Sequence, residues 1–101
     1  MYAAVAVAAV AGAMPSVLIG DGVELPYVSL GTGSGQKANV TYAVQLWLDA
    51  GGTAIDTAYD YQDETEVAKG IGSRQPFITT KIPCSSYDDA KSHIESNLKD
   101  L

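Results

Sequence analysis

Scarcity narrows the reading of this chain before any motif does. It holds one cysteine, Cys84, so no internal disulfide can form, and the expected setting is a reducing, cytoplasmic one. Basic residues are few, six Lys+Arg against twelve Asp+Glu, for a formal net charge of −6. A nucleic-acid partner is therefore not expected, because phosphate binding draws on clusters of Lys and Arg. No apolar run approaches the roughly 20 residues that a membrane-spanning helix needs, and the chain is expected to be soluble. The length itself, 101 residues, allows one small domain or part of one.

What is present begins with a biased stretch. Residues 1–13 are almost entirely Ala and Val, closing on Ala11-Gly12-Ala13. One reading is a short secretory apolar segment with a small-residue cleavage site. No Lys or Arg precedes it, so the favoured reading is a leader or extension, with the domain proper over residues 14–101 and Met14 opening it.

The chemistry concentrates in Ala54-Ile55-Asp56-Thr57-Ala58-Tyr59-Asp60-Tyr61-Gln62-Asp63-Glu64 and in Phe77-Ile78-Thr79-Thr80-Lys81. Each puts an ionisable group just past a short apolar run of the kind that forms a buried strand. If the two strands are parallel neighbours, Asp56, Tyr61 and Lys81 converge at one rim. A phenol with a pKa of about 10 is a reluctant acid at neutral pH. A lysine ammonium beside it favours the phenolate, and a carboxylate keeps that lysine charged and in place. The grouping reads as a tuned general acid, Tyr61, with Lys81 as its tuner and Asp56 as anchor. Tyr59 is the rival phenol.

Around that centre the chain punctuates itself clearly. Gly20-Asp21-Gly22 between Val17-Leu18-Ile19 and Val23-Glu24-Leu25 predicts a hairpin. Strands are expected over 27–30, 53–55 and 77–81. A first helix is expected from an Asn39 N-cap, with Val40, Ala43, Val44, Trp47 and Leu48 as its buried stripe and Gly51-Gly52 as its stop. A second should bury Val67 and Ile71 and close at Gly70 and Gly72, its first turn favouring Asp60, Asp63, Glu64 and Glu66 through the helix dipole. The spacing of those acids does not suit an EF-hand, and no metal site is expected. A third helix starts at Ser86 with Ala90, Ile94, Leu98 and Leu101 as its stripe, and His93 lies beside that stripe, in a surface or second-layer position rather than a catalytic one. Cys84 reads as a small buried filler. Gly31-Thr32-Gly33-Ser34-Gly35, with Asp56 some way on, imitates a Rossmann dinucleotide-binding unit, but Gln36 stands where the third glycine belongs; the glycines read better as a flexible loop.

Three of these segments together resemble the aldo-keto reductases: Leu30-Gly31-Thr32, then Asp56-Thr57-Ala58-Tyr59-Asp60-Tyr61 with Glu64, then Thr80-Lys81. The resemblance runs from about Met14 to Leu101. It implies an α/β fold, a partial (β/α)8 TIM barrel made of an N-terminal hairpin and about three βα units. It implies NADPH as cofactor and reduction of an aldehyde or ketone, with Tyr61 donating the proton supported by Lys81 and Asp56. Gly31, Thr32 and Asp56 would lie at the nicotinamide end. A bulky residue often follows the Gly-Thr in the family, so Gly33 is expected to open that part of the pocket. The family's catalytic histidine is expected on the next strand, beyond Leu101, and His93 does not match it. A closed barrel takes about 250 residues. The chain alone is therefore expected to be inactive, and the competing class is a non-catalytic fragment or interaction module.

Overall fold

The computed structural model describes residues 14–33 and 36–101; the Ala/Val-rich leader and Ser34-Gly35 of the glycine-rich loop lie outside the described residues. Strands β1 (Ser16–Gly20) and β2 (Val23–Pro26) pair antiparallel, Val17 opposite Leu25, with an irregularity before the turn. Then follow β3 (Leu30–Gly31), α1 (Lys37–Asp49), β4 (Ala54–Asp56), a 3-10 turn over Tyr59–Tyr61, α2 (Glu64–Ile71), β5 (Phe77–Thr79) and α3 (Tyr87–Asp100). The order is the expected hairpin plus three βα units.

Strands β3, β4 and β5 form one parallel sheet in sequence order. Leu30 pairs with Ile55 and Ile55 with Ile78; one residue on, Gly31 pairs with Asp56 and Asp56 with Thr79. The ladder continues past the strand ends: Thr32 N–H donates to the Asp56 carbonyl, Thr57 N–H to Thr79 and Tyr59 N–H to Lys81, at 2.8–3.1 Å. The strands are therefore shorter and shifted relative to expectation. Asp56 belongs to β4, while Tyr27, Val28, Thr80 and Lys81 lie outside the strands.

One apolar layer fills the space between the sheet and its first two helices. Val40 and Val44 of α1, Ile55 of β4, and Val67 and Ile71 of α2 form the buried cluster, with Leu30, Trp47, Leu48, Ile78 and Leu101 packed against it. Trp47 is a core residue as expected, and its indole N–H donates to the Ala54 carbonyl at 2.8 Å, which satisfies the one polar group that its burial would strand. Ala43 is exposed.

Several local expectations are corrected. Helix α1 begins at Lys37 with Gln36 as its N-cap, making no side-chain cap bond; Asn39 sits inside the first turn, because Lys37 and Ala38 are good helix formers and extend the helix past it. Cys84 is exposed rather than a buried filler, since it occupies a bend just after Ile82-Pro83. The apolar stripe on α3 is only partly covered: Leu101 packs against the core cluster, while Ile94 and Leu98 are 49 and 78% exposed and line a groove beside β5. The buried residue of that helix is Asn97. The N-terminus of α3 is as expected, Ser86 Oγ accepting from Asp89 N–H.

Gly70 is inside α2, with Gly72 as the cap. A Cβ at position 70 would fall 2.7 Å from Val44 Cβ and 2.8 Å from the Thr41 carbonyl oxygen. Glycine here lets α1 and α2 touch, and backbone on the far side cannot yield cheaply. Gly70→Ala gains about 1 kcal/mol of helix propensity but is expected to lose more through overpacking, for a net destabilisation of about 1–2 kcal/mol. A lowered urea midpoint at unchanged m-value would show it.

Candidate active site

The register of the sheet decides what meets at its rim. Because Asp56 is in line with Gly31 and Thr79, its carboxylate stands beside the residues that leave β3 and β5. Lys81, two residues past β5, returns across the strand ends to form a very short ion pair with Asp56 Oδ1. Its ammonium also donates to the Thr57 carbonyl at 2.7 Å. The hydrogen bond to Asp56 holds the Lys81 proton and raises its pKa above the ordinary lysine value; partial burial opposes this, and Tyr61 adds to it.

Tyr61 completes the group. The Lys81 ammonium sits 5.4 Å from the centre of the Tyr61 ring, at cation–π distance, while both of the hydrogen bonds named above go to oxygens of residues 56 and 57. Tyr61 is 39% exposed. The ring also lies against Gly33, where an added Cβ would fall 2.6 Å from the phenol carbon that bears the hydroxyl. This corrects the expectation for Gly33: the space that the missing side chain leaves is taken by Tyr61 itself.

The rival phenol goes elsewhere. Tyr59 is half-buried and its ring meets His93 of α3, centroids 4.2 Å apart. Among the described residues His93 Nδ1 is buried without a hydrogen-bond partner, and of the surface and second-layer positions expected for this histidine it takes the second, its ring packed on Tyr59.

Two residues beneath the rim make bonds that the sequence does not single out. Thr57 is fully buried, and its hydroxyl donates to Asp63 Oδ1 at 2.9 Å while accepting from Thr32 Oγ1 at 3.2 Å. Glu64 is 6% exposed, and its Oε1 accepts from Thr80 Oγ1 at 2.5 Å. With its amide oriented to suit its neighbours, Asn97 donates to Glu64 Oε2 at 2.7 Å. Burial pushes the Glu64 carboxyl above the ordinary value; the Thr80 hydrogen bond opposes this, and the charges of Asp100 and Asp63 add to it. The available signal was the alternation of Thr57 and Thr80 with the two charged residues, which periodicity alone does not single out.

Among the described residues, no group of three His, Cys, Asp or Glu side chains is arranged to hold a metal ion, and no helix is long and apolar enough to cross a membrane.

No protein-family model matches the chain. It is 36% identical over 104 residues to the aldo-keto reductase AKR2E4 of Bombyx mori, covering 86% of this chain and 34% of that protein. An aldo-keto reductase of Mycobacterium sp. is 33% identical over 96 residues, covering 84% of this chain and 34% of that one. The crystal structure of the Bombyx mori protein in complex with NADP matches with a TM-score of 0.74 at 33% identity, over 86% of this chain and 34% of that one. The chain thus spans about a third of the length of these relatives. Its hairpin and three parallel βα units are part of a (β/α)8 barrel, and the chain belongs to the aldo-keto reductase family.

Proposed function

We propose that these residues form part of the site of an NADPH-dependent carbonyl reductase, in which Tyr61 protonates the oxygen of an aldehyde or ketone. The observation that carries the reading is the Lys81 ammonium, bonded to Asp56 and held against the Tyr61 ring. The residues present suit a nicotinamide cofactor. An added Cβ at Gly31 would meet nothing within 4 Å, so the ground beside the Asp56 carboxylate is open. Thr32 contributes backbone there, since its hydroxyl is turned inward to Thr57. When bound, NADPH supplies the hydride for the carbonyl carbon. Tyr61 gives its proton to the carbonyl oxygen, and the phenolate left behind is stabilised by the Lys81 charge. Asp56 keeps that charge fixed and the lysine protonated. Such chemistry suits a cytoplasmic protein with a free thiol at Cys84.

A second reading, a module that docks on a partner without turning over substrate, is favoured by one observation. Ile94 and Leu98 on α3 are exposed beside β5 and, with Ile78, Ile82 and Leu101, line a groove of about 540 Å³. Purified as 101 residues, the chain is expected to show negligible NADPH oxidation with an aldehyde; robust turnover would remove this second reading.

The first reading is tested with residues 14–101 in place of the equivalent third of the Bombyx mori reductase. In that chimera Tyr61→Phe should lower kcat by about a hundredfold or more, the range for loss of a general acid. NADPH affinity, followed by fluorescence, should hold. Unchanged turnover would take Tyr61 out of the mechanism. Gly33→Ala in the same chimera pushes the Tyr61 ring aside and should lower kcat by about tenfold or more, again with cofactor affinity kept.

A further inference from the structure

The first residues of α2 behave unlike an ordinary helix start. Asp63 holds the N-cap position, where an aspartate normally accepts from its own helix N–H groups, yet it makes no side-chain cap bond. Its carboxylate, 3% exposed, turns instead to the Thr57 hydroxyl. Glu64, the next residue, is buried at a site where its charge is disfavoured, and its carboxylate takes the Thr80 hydroxyl. Burying two adjacent carboxylates is costly, so the position of what they grip matters.

What they grip flanks the charged pair on both strands. Thr57 follows Asp56, and its carbonyl is the second acceptor of the Lys81 ammonium. Thr80 precedes Lys81. The two carboxylates reach different strand ends from one helix turn, and Asn97 of α3 braces the second of them. We propose that Asp63 and Glu64 are positioning residues, a two-pronged clamp that sets the Thr57 carbonyl and the Thr80–Lys81 backbone so that the ammonium meets Asp56 beside Tyr61.

The clamp deepens the reductase reading and rests on it for its purpose, but its test needs no turnover. The readout is the exchange of the Lys81 ammonium protons with water, followed by nitrogen-15 NMR on the 101-residue chain at low temperature. A failed Tyr61→Phe experiment in the chimera would leave this measurement standing, and the reverse also holds. Asp63→Ala and Glu64→Ala should each speed exchange by about tenfold, as expected when a hydrogen bond to a charged group weakens. Asp63→Asn and Glu64→Gln keep an acceptor oxygen and remove the charge, and should exchange at the parent rate. Val67→Ala, which damages the α2 core without touching the clamp, should also leave the rate alone. If an alanine variant fails to fold, Thr57→Val and Thr80→Val remove the same bonds from the other side at nearly constant volume and should give the same acceleration. Unchanged exchange in folded variants lacking either bond would overturn the proposal. So would equal acceleration in the amide variants, which would mark a purely Coulombic effect, or in Val67→Ala, which would mark general loosening.

Discussion

The arrangement depends on the ion pair that Lys81 makes with Asp56 across the ends of two parallel strands. Its side chains are 47 and 37% exposed, and such pairs contribute only about 0–1 kcal/mol to stability. The pair therefore does not hold the fold together. The burial of Val44, Ile55 and Val67, none of which keeps any measurable exposure, contributes on the order of 1.5–3 kcal/mol each and fixes the sheet against α1 and α2. The core sets the strand register, and the register brings the charges together. A one-residue slip of β4 would turn Asp56 to the opposite face and carry Ile55 out of the core with it.

Legibility followed from how local each signal was. Asp56 and Lys81 could be read because each ends a short apolar run, and a strand carries its next side chain to a predictable rim. Gly51, Ser86 and the Gly20–Gly22 turn could be read because caps and turns are decided by the residues themselves. Tyr61 was separated from Tyr59 on family spacing, and the structure sends the two rings to different neighbours, Lys81 and His93. Asp63 and Glu64 were read as complements to a helix dipole. Their bonds to Thr57 and Thr80, 6 and 16 residues away, depend on how α2 lies across the sheet. No periodicity encodes that crossing.

The third helix shows the limit of pattern reading most sharply. A stripe of Ala90, Ile94, Leu98 and Leu101 assumes that apolar residues choose the buried face. Here α3 also has a polar seam: Asn97 donates to Glu64, beside the contact of the His93 ring with Tyr59. Polar groups in a seam need directional partners and leave little freedom in how the helix sits. An apolar stripe only needs something to cover it. In this chain Asn97 and Glu64 fill the seam, while Ile94 and Leu98 line a groove with nothing over it among the described residues.

That seam bears on the site. Asn97 of α3 braces Glu64, and Glu64 holds the residue before Lys81. The rim is thus determined from behind by side chains of two helices, and the apolar face of α3 stays available to whatever adjoins it. Among the described residues, the bonds that Lys81, Thr57 and Thr80 make at the rim run within the three βα units. A segment spanning about a third of its relatives' length thus brings Asp56, Lys81 and Tyr61 to one rim.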